Sequence, residues 1–127
     1  MNEPHPIKTL VWIGSSRNAL KSFPGEVKDV IGFALYQAQV GRKSPTAKPL
    51  TGFGGASVLE IVDHYYGDTY RAVYTVKFAE VVYVLHAFQK KAKKGIATPK
   101  TDVDLVKKRL KIAEADYRLR NLGRHDC

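Results

Sequence analysis

Cysteine is nearly missing from this sequence: the single thiol, Cys127, is also its last residue. One cysteine excludes an internal disulfide framework and any zinc site built on clustered thiolates. The four histidines, His5, His64, His86 and His125, are scattered without metal-ligand spacing, so neither a metal nor another cofactor is expected. Long apolar runs are missing as well. Nothing approaches the roughly 18 consecutive apolar residues of a membrane span. The polar start from Met1 to Pro6, with Glu3 in it, does not resemble a signal peptide. A cytoplasmic protein with no membrane partner is the expectation. Negative charge is scarce too: 12 Asp and Glu stand against 21 Lys and Arg, a formal net charge of +9. Such an excess attracts nucleic acid or acidic proteins through its summed field, although solvated surface lysines produce the same count.

What is present is an ordinary soluble composition, 44% apolar and 26% charged over 127 residues, enough chain for one domain with a real core. No internal repeat or low-complexity linker divides it. One domain is expected over 1–127, with its core at about 7–120 and a frayed tail at 121–127. Ile7 to Ile13 is a short apolar run suited to a buried strand, and Gly14-Ser15-Ser16 breaks it ahead of a short helical turn through Phe23. From Pro24 to Val40 the apolar positions Val27, Val30, Ile31, Ala34, Leu35 and Ala38 follow helical spacing. Residues 41–56 hold three glycines besides Gly41, with Pro45 and Pro49, and read as a loop. Three runs rich in Val, Ile, Tyr and Phe follow: Ser57 to Tyr65, Tyr70 to Phe78 and Val81 to Gln89. The short connectors, Tyr66 to Thr69 and Ala79-Glu80, predict an antiparallel meander. Beyond a basic loop, Lys90 to Lys100, Thr101 or Asp102 can cap a closing helix with Val103, Val106, Leu110, Ala113 and Tyr117 as its apolar stripe. The expected fold class is α+β, a small antiparallel sheet with packed helices in the order β-α-β-β-β-α.

Two features of this plan carry chemistry. Alternation in the third strand separates Arg71, Val73 and Thr75 from Tyr70, Ala72, Tyr74 and Val76. Arg71 is the one charge among apolar and aromatic neighbours, and a half-buried guanidinium must be paired or aimed at an anion. A structural salt bridge to Glu60 or Asp63 on the preceding strand is the plain alternative. The fourth strand then delivers Lys90, Lys91, Lys93 and Lys94 within five positions, a cluster that repels itself unless solvent or a polyanion screens it. Phe88 beside it offers a face on which a base could stack. His86 shares its strand face with Phe88 and Lys90 and is a candidate for proton transfer, against the plainer reading of a tucked-in strand histidine. His64, at a strand end beside Tyr65-Tyr66, ranks below it. Tyr70 and Tyr74 read as core or stacking residues rather than acids.

The stretches Gly67-Asp68-Thr69-Tyr70-Arg71-Ala72-Val73-Tyr74, Val82-Tyr83-Val84-Leu85-His86-Ala87-Phe88-Gln89-Lys90-Lys91 and Lys94-Gly95-Ile96-Ala97-Thr98-Pro99 resemble the phage-derived toxin family of the RelE/HigB group. Upstream, Gly32 to Gly41 and Lys48 to Gly55 look like the same family's helix and loop, so the resemblance covers about residues 8 to 117. It implies a RelE-like fold and the toxin role of a type II toxin–antitoxin system. The implied activity is a metal-independent endoribonuclease (an mRNA interferase) that cuts mRNA on the ribosome and is silenced by a cognate antitoxin, in the HigB branch usually a helix-turn-helix DNA-binding protein. ParE-like members of the superfamily share the fold and poison DNA gyrase instead, and a decayed toxin that only binds antitoxin or nucleic acid is a third alternative. The family's arginine after the central tyrosine matches Arg71, and its strand-end lysines match Lys90, Lys91 and Lys94. Unlike many members, this chain has Ile61 rather than arginine after Glu60.

Cleavage of RNA by its own 2′-hydroxyl needs that hydroxyl deprotonated, the phosphorane charge stabilised and the leaving oxygen protonated. Fixed cations meet the second need. The candidate catalytic set is therefore Arg71, Lys90, Lys91, Lys94 and His86, and the candidate RNA contacts are Lys48, Tyr70, Phe88 and Lys93.

Overall fold

Strand alternation and one helical crossover arrange this molecule. The computed structural model describes residues 7–91 and 98–125, with side chains described for 7–90 and 98–121. Its elements are β1 (Thr9–Trp12), α1 (Ser16–Lys21), α2 (Gly25–Gln39), β2 (Ala47–Pro49), β3 (Val58–Tyr65), β4 (Asp68–Thr75), β5 (Val81–Lys91) and α3 (Lys100–His125). They form a five-stranded sheet in the order β1-β5-β4-β3-β2 flanked by helices.

The α+β class and the β3-β4-β5 meander are as expected, and the detail differs at both sheet edges. β1 pairs with β5 in parallel, Thr9 opposite Val81 and Trp12 opposite Val84, so the sheet is mixed rather than wholly antiparallel. The chain leaves β1 through two helices and returns by the hairpins, which brings its last strand alongside its first in the same direction. Within the stretch read as a loop, Ala47–Pro49 adds a short antiparallel edge strand to β3. Pro49 is tolerated there because an edge position needs no N–H on its open side. The β3–β4 turn is also tighter than expected. Asp68 and Thr69 belong to β4, leaving Tyr66 and Gly67 as a two-residue loop with φ of 49° and 83°, the positive values that match the twist of a hairpin. At the chain's far end α3 runs to His125, into the stretch expected to fray.

The sheet buries both faces, unequally. One face carries Leu59, Ile61, Tyr70, Ala72, Tyr74, Val82 and Val84, and α1, α2 and the connector between them cover it with Leu20, Phe23, Val27, Ile31, Leu35 and Ala38. On the other, Val58, Val73, Tyr83 and Leu85 meet Val106 and Ala113 of α3. A single helix cannot cover a whole sheet face, so the end of this face toward the β3–β4 turn stays open.

Arg109 ties α3 to the rest. The β4–β5 register shifts between Val73 and Tyr74, whose partners are His86 and Val84, and Leu85 lies between those pairs. Arg109 donates through Nη1 to the Leu85 carbonyl at 3.0 Å and through Nη2 to Ser15 Oγ at 3.2 Å. Burial lowers its pKa. The guanidinium lies over Gly14, where an added Cβ would come within 2.9 Å of Arg109 Cζ and where φ is +58°. Further along α3, Asp116 accepts from Tyr83 Oη at 2.6 Å and from Arg120 Nε at 2.6 Å. Those two bonds hold the Asp116 carboxyl below its usual range, while burial and then the same bond push the Tyr83 phenol up.

Two stability predictions follow from this packing. Gly14→Ala imposes a left-handed backbone on a side chain and displaces the Arg109 guanidinium, so urea unfolding should show a loss of about 1–2 kcal/mol; an unchanged midpoint contradicts the role given to this corner. Tyr74 is fully buried, among the described residues its hydroxyl has no hydrogen-bond partner, and burial pushes its pKa from 10.0 up to about 12. Because the folded value lies above the unfolded one, its stabilising contribution is complete below pH 10 and is lost as pH rises toward 12. Tyr74→Phe should match or exceed the parent at neutral pH and resist alkali better, by about 2 kcal/mol near the folded pKa. Parallel urea titrations showing identical alkaline losses would refute this.

Candidate functional site

The open end of the α3 face is a grid set by register. Directly paired residues share a face, so the pairings place Lys48, Glu60, Val73 and His86 in one row across β2 to β5. The next row is Val62, Arg71 and Phe88, and the last is His64, Thr69 and Lys90. Arg71, on the middle strand and in the middle row, is the centre of this grid.

A groove of about 770 Å³ opens over the β2 side of the grid, lined by Lys48, Glu60, His64, Arg71, Thr98 and Lys100 among others. Arg71 is only 5% exposed at its floor. A guanidinium that dry needs hydrogen-bonded compensation. Its Nη1 lies 3.3 Å from Glu60 Oε2, and the same atom donates to Thr98 Oγ1 at 3.3 Å. Thr98 in turn donates to Glu60 Oε2 at 2.5 Å, so its hydroxyl accepts from the cation and donates to the carboxylate. The salt bridge to Glu60 considered from sequence is therefore present, and it forms part of the groove. His64 stands in the open, its Nδ1 3.2 Å from Thr69 Oγ1.

On the β5 side the placement differs. His86 is half-buried, with Nε2 2.7 Å from Asp102 Oδ1 in the first turn of α3 and its ring stacked on Phe88 at 4.7 Å. Asp102 thus reaches across to a strand rather than capping the helix, which starts at Lys100. His86 is engaged by the helix, and it does not line the groove. Phe88 and Lys90 share the grid face beside Arg71 and Thr69.

Tyr70 is corrected by the structure. It is 6% exposed and packs edge-on against Phe23 at 4.9 Å, within the α1–α2 core. Neighbouring strand residues point to opposite faces, so the position that puts Arg71 in the groove puts Tyr70 behind the sheet, away from the groove. Lys91 ends β5 opposite Asp68, and its side chain lies outside the described residues, as do Lys93 and Lys94 altogether. Lys48 lines the groove as an exposed cation. Thr98 and Lys100 were not singled out from sequence; their only local signal was Pro99 between them, a helix-start mark that says nothing about where the start docks. Among the described residues no group of three or more His, Cys, Asp or Glu could hold a metal ion, and no helix is long and apolar enough to cross a membrane.

The sequence matches the family described as "Phage derived protein Gp49-like (DUF891)" over residues 18–111. No curated protein matches it. The structure is similar to that of a mutant of the E. coli toxin RelE in the free state, at 17% identity over 81% of this chain and 97% of that one, with a TM-score of 0.55. A second similar chain comes from the crystal structure of the toxin–antitoxin complex RelBE2 of Mycobacterium tuberculosis, at 16% identity over 71% of this chain and 98% of that one, with a TM-score of 0.45. The first likeness makes the fold RelE-like.

The pairing at the groove floor has a measurable consequence. Glu60→Ala removes the carboxylate beside a nearly dry guanidinium and should cost about 2–3 kcal/mol in urea unfolding. Removing both charges with Glu60→Ala and Arg71→Met should recover most of that. A double variant no better than the single one means the pair is not the source of the loss.

Proposed function

Since the chain belongs to the phage-derived Gp49-like family, we propose that it is the toxin of a type II toxin–antitoxin pair, an endoribonuclease that cuts mRNA by activating the substrate's own 2′-hydroxyl. The observation that carries this reading is Arg71: a planar, permanently charged donor at the floor of an open groove, between a carboxylate and an imidazole on the same sheet face. Guanidinium geometry suits two phosphate oxygens at once. A nearly dry, fixed donor of this kind stabilises the charge that builds on phosphorus more effectively than one free in solvent.

The proton-transfer roles fall to the rows on either side. Glu60 takes the proton from the ribose 2′-hydroxyl, and His64 gives one to the departing 5′ oxygen. A scissile phosphate entering the groove replaces Thr98 and part of Glu60 as the partner of Arg71, which frees the Glu60 carboxylate for the hydroxyl. Lys48, Lys90 and Lys100 neutralise neighbouring phosphates, and Phe88 supplies the stacking face beside Arg71. His86, held by Asp102, positions the start of α3 instead of carrying protons. The partner that silences the toxin is a cognate antitoxin, of the helix-turn-helix DNA-binding kind in this branch, covering the same groove. Ribosome-bound mRNA is the substrate.

The test is induced expression in a bacterial host with mapping of mRNA 5′ ends. Growth arrest with discrete new ends is expected, and both Arg71→Ala and His64→Ala should reduce cleavage at least about 100-fold while Tyr70→Phe leaves it intact. Arrest with double-strand DNA breaks and unchanged mRNA would instead mark a gyrase poison and overturn the reading.

A further inference from the structure

Most of the acid on α3 is already engaged. Three of its acids have partners: Asp102 on His86, Glu114 on Lys77, and Asp116 on Tyr83 and on Arg120 of the same helix. Lys100, Lys107, Lys111 and Arg118 are all exposed, and among the described residues none of the four has a carboxylate partner. Their spacing of seven, four and seven positions puts them on one stripe of the helix. Asp104 is the single exposed acid beside them. The stripe is about 27 Å long at the helical rise. It begins inside the candidate site, because Lys100 and Val103 line the groove. One turn on from Val103, beyond the groove lining, the Lys107 ammonium sits 6.0 Å from the Phe53 ring centroid.

A helix whose acids are mostly engaged and whose cations line one water-facing stripe, starting at the groove, is complementary to a polyanionic strand. We propose that this face of α3 is a track for the RNA strand outside the cut site, binding its phosphates one after another as they leave the groove. The inference rests on the ribonuclease reading of the groove and adds to it a second, extended contact that determines how long an RNA the protein holds.

The experiment measures fluorescence anisotropy of the full chain with uncleavable 2′-O-methyl RNA, using a tetranucleotide that fills only the groove and a hexadecamer that reaches beyond it. Lys107→Gln, Lys111→Gln and Arg118→Gln together should weaken hexadecamer binding by about tenfold or more and lower its salt slope by about 2, with tetranucleotide binding unchanged. A control combining Arg17→Gln, Lys21→Gln and Lys28→Gln removes the same amount of charge from exposed positions on α1 and α2 and should leave both affinities near the parent's. Equal weakening by the two triple variants means only net charge matters, and overturns the track. An unaffected hexadecamer overturns it too, and if the α3 variant then fails to co-purify with an acidic protein that the parent retains, the ridge is a protein-docking face. Should the parent bind neither oligonucleotide, or bind the tetranucleotide without any length dependence, the track is overturned, while the ribonuclease reading stands or falls separately on the mapping of mRNA 5′ ends.

Discussion

A guanidinium held 5% exposed on the middle strand of the sheet is the constraint on which the open face depends. Arg71 cannot shed its charge, so the fold must bring compensation to it from two directions. Glu60 arrives through the β3–β4 register, which sets it diagonally across from Arg71 in the neighbouring row. Thr98 arrives from the approach to α3, 27 positions away in sequence. The result is a site built from three segments around one cation. The site stays open because α3 begins at Lys100, beside the groove, and runs away over the hydrophobic half of the same face.

The same parity explains how much of the site could be read beforehand. Period-two alternation was enough to separate Arg71 from Tyr70, Ala72 and Tyr74, and to put His86, Phe88 and Lys90 together. It also held the information that Tyr70 belongs to the core, since Arg71 and Tyr70 cannot both face the groove; taking Tyr70 as an RNA contact set an aromatic next to a cation in sequence above its direction in space. Glu60 as the partner of Arg71 was legible because both lie on adjacent strands of a short hairpin. Thr98 and Asp102 were not legible. Their contacts depend on how α3 docks, and docking is decided by Val106, Ala113 and the Arg109 anchor rather than by any pattern near the two residues themselves. Nor was the difference between the two strand histidines legible: only tertiary packing ties the His86 imidazole to Asp102 and leaves that of His64 standing at the groove.

At the sheet's edges the unread part was topological. A four-residue β1 contains no mark of the strand it pairs with, and its parallel partner β5 arrives only after the chain has crossed to β2 and come back through the hairpins. The short β2 lies in glycine- and proline-rich sequence whose local preference is for a loop. It becomes a strand because β3 presents an unpaired edge, and backbone groups near a core favour hydrogen bonds over isolation. That small addition matters to the site, since it is β2 that brings Lys48 to the groove, directly opposite Glu60.

The distribution of charge joins these observations into one account of a basic protein that still folds. Concentrated positive charge opposes compaction, and the chain relieves this selectively. Acids are used where they hold structure: Glu60 under Arg71, Asp102 on His86, Asp116 between Tyr83 and Arg120, Glu114 on Lys77. Each of these acids is engaged by a partner, and the cations of the α3 stripe are left facing water. With only 12 acids available to 21 basic side chains, the ones engaged in these contacts cannot also neutralise the cations of the α3 stripe. Arg71 is the opposite case, a cation held nearly dry at the groove floor with Glu60 and the Thr98 hydroxyl among its partners.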